Sequence, residues 1–97
     1  MPSIVGALVF EFMGSFLLTA TYAFQITSNH PGGWFIMGNA LAVIVLLGGR
    51  VSGAHVNPAI TFAFMIRKVG NIPISTGFLY ILVQIVGGFV AGLFASW

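Results

Sequence analysis

The chain of 97 residues contains no cysteine and a single acidic residue, Glu11. Without cysteine there is no disulfide framework, no thiolate metal site, no cysteine nucleophile and no indication of redox compartment. Lys and Arg number three, so charged side chains make up 4% of the chain, against about a quarter in a soluble domain. So few charges cannot cover a surface that faces water. With 59% hydrophobic residues, the composition points to a lipid bilayer as the solvent. Three cations are also too few for the basic stripe of a nucleic-acid-binding surface, so no nucleic-acid partner is expected. Two histidines and one glutamate put a tetrahedral metal site nearly out of reach, and no metal or other cofactor is expected. There is no nucleophile paired with a base, no phosphate loop and no carboxylate pair, so no enzyme reading survives.

What is present divides into apolar segments. A bilayer crossing needs about 20 apolar residues at ~1.5 Å rise each. The first candidate covers residues 4–24, interrupted only by Glu11 and small hydroxyls; no basic segment precedes it, which argues against a secretory signal. Residues 25–33 are polar, end in Pro31-Gly32-Gly33 and read as a loop containing a solvated His30. A second, short span covers residues 34–49, opening on Trp34, a residue favoured at membrane interfaces. A third covers residues 74–96, with Trp97 as an interfacial anchor. Gly38-x-x-x-Ala42 and Gly88-x-x-x-Gly92 have the spacing of close helix-packing faces.

Residues 51–68 are too apolar for a solvent loop and too short and broken to cross. Asn57 is a preferred helix N-cap, and Pro58 suits the first helical position, where its missing N–H costs nothing. A helix is therefore expected from Pro58 to about Arg67-Lys68, whose cations complement the negative end of its dipole, with Gly70-Asn71 as the stop. At about 15 Å it is half the hydrocarbon thickness. The expectation is a re-entrant half-helix, fed by extended backbone over Ser52-Gly53-Ala54-His55-Val56. Bare N–H and C=O groups at that depth are tolerated only when buried in protein or lining a watery cavity, an arrangement typical of permeation sites. The fold class expected is an all-α membrane protein, one unit over residues 1–97, with three transmembrane helices and one re-entrant half-helix. Arg50, Arg67 and Lys68 all lie between the second and third spans, so the positive-inside rule places the N-terminus and the re-entrant loop on the cytoplasmic side.

The run Ser52-Gly53-Ala54-His55-Val56-Asn57-Pro58-Ala59 resembles the first signature loop of the aquaporin, or major intrinsic protein, family. Glu11 with Ser15 resembles its Glu-x-x-x-Thr pattern, with Ser for Thr, and Tyr80, Gln84 and Gly87-Gly88 resemble its Tyr-x-x-x-Gln-x-x-Gly pattern. The resemblance covers the whole chain but half of the family fold, whose members carry two inverted halves, each with its own Asn-Pro-Ala. It implies a half-channel for passive permeation of water or small neutral solutes such as glycerol. The pore would be marked by Asn57, Pro58 and Ala59, with Asn57 donating to the permeant. The carbonyls of Gly53, Ala54, His55 and Val56 would line it as acceptors. Glu11 would be buried, bracing the loop by accepting its N–H groups, and the selectivity position of the second span falls on Met37, to within one or two positions.

Blander readings stand beside these. Glu11 is favoured as a brace over a proton relay, for which His55 is the sole candidate partner. The His55 side chain reads better as a packing or donor residue than as a ligand. One half cannot enclose a pore. An antiparallel homodimer would need insertion both ways, which the one-sided cations argue against; a separate chain carrying the second half could complete the pore, unless the chain is a fragment of a full-length channel. Alternatively, the chain is a structural subunit of a larger membrane complex that keeps the fold without transport.

Overall fold

The computed structural model describes residues 3–67 and 72–96; Lys68, the Gly70-Asn71 stop and Trp97 lie outside them. The described residues form four helices in chain order: α1 (Ile4–Ser28), α2 (Gly33–Gly48), α3 (Pro58–Arg67) and α4 (Ile74–Ala95). At 25 and 22 residues, α1 and α4 are long and apolar enough to cross a membrane, spanning about 37 and 33 Å. α2 has 16 residues and α3 has 10.

Each boundary has a local cause. Ser3 caps α1, its Oγ accepting from the Gly6 N–H at 3.2 Å. The far end of α1 differs from the sequence expectation: residues 25–28, read as loop, are helical. Their polarity does not break the helix because their hydroxyls bond the helix's own carbonyls. Thr27 Oγ1 donates to Ala23 O at 2.9 Å and Ser28 Oγ to Gln25 O at 3.3 Å. The break comes at Asn29, in the left-handed conformation (φ 51°, ψ 43°), with its N–H on Ile26 O and the His30 N–H on Gln25 O. This is the double-bonded left-handed stop that Gly or Asn supplies. Asn29→Gly should therefore leave thermal unfolding in detergent nearly unchanged. Asn29→Val should lower stability by about 1–2 kcal/mol, the cost of a side chain crowded in that conformation.

α1 packs against α4 on one side and α2 on another, and α3 packs against α4. The buried residues of α4 are Gly77, Tyr80, Gln84, Gly87 and Ala91, a stripe of alternating three- and four-residue steps that faces the bundle. Gly87 marks the closest approach: a Cβ there would lie 2.6 Å from the Phe12 backbone oxygen of α1. Gly88, Gly92 and Gly38 make no such close approach within the chain. A Cβ at Gly88 would meet Thr19 Oγ1 at ordinary contact distance, and one at Gly92 or Gly38 would meet nothing. Ala7, Met65, Ile72 and Tyr80 form the apolar core beside the loop that precedes α3. The outer faces carry exposed apolar side chains such as Val9, Leu17, Leu82 and Phe89.

Candidate functional site

The segment between α2 and α3 winds through backbone space that side chains rarely adopt. φ is +89° at Gly53, +50° at Ala54 and +42° at Val56. Gly takes such values freely, whereas a β-branched residue does so only when its surroundings over-determine it. Those surroundings are a set of donors tied inward. The N–H groups of Val51, Ser52 and Gly53 all reach the Gly48 carbonyl, at 3.0, 2.9 and 3.2 Å. The Ala54 N–H donates to Ser52 Oγ at 3.0 Å, the His55 N–H to Glu11 Oε2 at 3.0 Å, and the Val56 N–H to Glu11 Oε1 at 2.8 Å. Every N–H from Val51 to Val56 is thus used within the chain. The carbonyls of Gly53, Ala54, His55 and Val56 accept nothing from the described residues.

Glu11 is fully buried on α1. Besides the two backbone N–H groups it accepts from Ser52 Oγ at 2.6 Å and from Gln84 Nε2 at 2.7 Å. Four donors on one carboxylate offset much of the cost of placing it among apolar helices. Ser15, its sequence partner one turn on, is not among them: Ser15 Oγ, like Gln84 Oε1, is buried without a hydrogen-bond partner among the described residues. Val56 is held from the side as well, since its Cγ1 fills the space a Cβ on Gly14 would need, 2.5 Å away.

α3 begins at Pro58, where cap chemistry predicts. The Ala59 N–H donates to Asn57 Oδ1 at 2.8 Å and the Thr61 N–H to the Asn57 carbonyl at 3.1 Å. The cap occupies the amide oxygen of Asn57, so its NH2 donors remain available on an exposed residue. Gly53 and Ala59 are also exposed, Pro58 is half-buried, and the side chains of Ala54, His55 and Val56 point into the protein. The His55 ring stacks on Phe64 at 4.7 Å and meets the edge of Tyr80 at 5.3 Å. Its Nδ1 lies 2.8 Å from Thr61 Oγ1. Tyr80, fully buried, donates from Oη to the Ser52 carbonyl at 2.7 Å.

The structure therefore brings Glu11, the 53–56 backbone and Asn57 together. Met37 is apart from them, half-buried on α2, and α2 does not touch α3. Sequence reasoning missed Thr61, which is fully buried and bonded to both His55 and Gln84. The available signal was its being the sole uncharged polar residue in the ten-residue α3. Ser52 was quoted in the motif without a role; it is the hydroxyl that relays Glu11 to the Ala54 N–H.

Apolar helices of membrane-crossing length, enclosing a carboxylate that holds irregular backbone ahead of a short helix, define a helical membrane protein built around a polar loop. The chain matches the family model described as Major intrinsic protein over residues 2–96, and it belongs to that family. Among its relatives, a probable glycerol uptake facilitator protein of Thermotoga maritima is 36% identical, the match covering 86% of this chain and 39% of that protein. The lens fiber major intrinsic protein of Gallus gallus is 37% identical, with 84% and 32% covered, and Aquaporin-10 of Homo sapiens is 38% identical, with 84% and 29% covered. The chain thus spans about three tenths to two fifths of the length of these relatives. No solved structure gives a significant match.

Proposed function

We propose that the chain is one half of an aquaporin-like channel for water or small neutral solutes, closed by a second half-channel. The observation that carries this reading is the asymmetry of the 51–56 backbone: every N–H is consumed internally while four consecutive carbonyls are left over. In a bilayer, carbonyls without donors are stable only against protein or a hydrated path. Ahead of them stand the exposed Asn57 amide donors and the positive end of α3. A neutral molecule that both donates and accepts hydrogen bonds, such as water or a polyol, suits that combination, and the helix dipole there disfavours cations and protons.

In this reading α1, α2 and α4 are three transmembrane helices, and residues 51–68 are the re-entrant loop and half-helix of one membrane unit. The sequence positions of Arg50, Arg67 and Lys68 between α2 and α4 favour a cytoplasmic side for that loop and the N-terminus. Gly53 to Val56 supply acceptor carbonyls, Asn57 to Ala59 mark the pore centre, Glu11 is the brace, and Met37 is the filter position of α2. The relatives named as a glycerol facilitator and an aquaporin favour transport over a purely structural subunit, and over an enzyme.

Asn57→Asp isolates the permeation role. Asp caps a helix as well as Asn does, so α3 should persist, while the NH2 donors are lost and an anion is set at the pore. Osmotic shrinkage of vesicles from the chain's own membrane should slow at least about fivefold, the worth of one hydrogen bond of about 1 kcal/mol. Unchanged shrinkage, with the variant present at wild-type abundance, would remove transport from this chain.

A further inference from the structure

An apolar helix surrounded by lipid and apolar helices gains little from presenting one face rather than another, because lipid tails are as apolar as its own side chains. α3 is such a helix. Its sequence is PAITFAFMIR, and its only polar side chains are Thr61 and the terminal Arg67. Burial alone therefore leaves its rotation about its own axis weakly set. Yet that rotation decides where Asn57, whose carbonyl and side chain are bonded into the first turn, aims its amide.

Thr61 is the residue that fixes the rotation. It is fully buried, one turn beyond Asn57. Its Oγ1 lies 3.0 Å from Gln84 Nε2 on α4 and 2.8 Å from His55 Nδ1 on the loop. Gln84 Nε2 also donates to Glu11 Oε1, so both of its hydrogens are used and its amide orientation is fixed. The His55 N–H returns to the other oxygen of Glu11. The result is a closed ring, Glu11–Gln84–Thr61–His55–Glu11, that takes one member from α1, α4, α3 and the loop. Met65, one turn further along α3, completes the buried stripe by filling the space beside Gly77. Its contact is apolar and adjustable, whereas the hydroxyl must meet two partners at once.

We infer that Thr61 is a positioning residue: its hydroxyl sets the azimuth of α3 and through it the direction of the Asn57 amide, and so helps to set which solute passes. This rests on the channel reading for its consequence, though not for its geometry. Thr61→Val keeps the branched shape and removes the hydroxyl; Thr61→Ser keeps the hydroxyl.

The test uses vesicles from the membrane that naturally holds the chain, with water and glycerol as the two probes. After subtraction of the permeabilities of vesicles lacking the chain, the ratio of the two is independent of how many copies are folded. Thr61→Val should change the ratio by about twofold or more, and Thr61→Ser should restore the wild-type ratio. A wild-type ratio in Thr61→Val overturns the inference. Amide exchange of α3 in the purified protein supplies a readout that does not need transport. Loss of interhelical hydrogen bonds in a membrane should speed it about 3- to 30-fold in Thr61→Val, and Thr61→Ser should leave it at the wild-type rate. If Asn57→Asp and removal of the chain leave both permeabilities untouched, the channel reading has failed, and the exchange rates alone decide: unchanged rates in Thr61→Val overturn the positioning role.

Discussion

Glu11→Gln should destabilise the protein by about 3 kcal/mol or more, because an amide cannot accept at both ends. In the native arrangement one carboxylate oxygen takes Ser52 Oγ and the His55 N–H, and the other takes the Val56 N–H and Gln84 Nε2. Whichever way the new amide turns, its NH2 confronts a pair of donors. Each buried donor left without an acceptor costs about 1–3 kcal/mol, and Glu11 is fully buried. The strained φ values at Ala54 and Val56 then lose the contacts that enforce them, so the loop should relax. Reversible unfolding in bicelles checks this. A variant within about 1 kcal/mol of wild type would mean that Glu11 is dispensable to the loop. Glu11→Ala, which removes all four acceptors, should be at least as damaging.

Gly87→Val carries the second large effect. Any Cβ at this position would stand 2.6 Å from the Phe12 carbonyl oxygen and 3.5 Å from its Cα. These are backbone atoms, so α1 itself must shift rather than a side chain swing aside. Phe12 follows Glu11, and Gln84 lies one turn before Gly87, so separating the helices also pulls on the Glu11–Gln84 hydrogen bond. Overpacking of this kind costs typically about 1–3 kcal/mol, exceeding the gain of about 1 kcal/mol from removing a mid-helix glycine. Gly92→Val, whose Cβ would meet nothing, provides the comparison and should be close to neutral. Equal unfolding midpoints for the two variants would refute the close packing of α1 on α4.

The contrast between Gly87 and Gly92 also shows what the sequence could convey. Helix starts governed by neighbouring residues were legible: Asn57-Pro58 announces α3 through cap chemistry alone. The end of α1 was not, because Gln25-Ile-Thr-Ser has loop composition, and only hydrogen bonding back into the helix reveals that its hydroxyls support rather than interrupt it. Spacing found small residues on α4, but the pair it singled out is not the one that packs on α1, since Gly88-x-x-x-Gly92 and the stripe through Gly87 and Ala91 differ by a single residue of rotation. Which of the two faces α1 depends on the polar pair Glu11 and Gln84 one turn away. Glu11 was visible as an acid in an apolar run. The identity of its donors, distant along the chain, was carried by the resemblance of the 52–59 run rather than by any local pattern. Thr61 escaped notice because a threonine in an apolar helix is unremarkable until its neighbours from other segments are known.

The position of Glu11 bears on how the chain is made. α1 is synthesised before α2, α3 and α4, and the donors to its carboxylate lie 41, 44, 45 and 73 residues downstream. During insertion α1 therefore meets the bilayer with an acceptor that nothing yet satisfies, and the last donor, Gln84, exists only once α4 has emerged. The newborn α1 is poorly suited to leave the insertion machinery for lipid by itself. Residence there until the later segments arrive, followed by release as a finished unit, is the order of biogenesis that this single side chain favours.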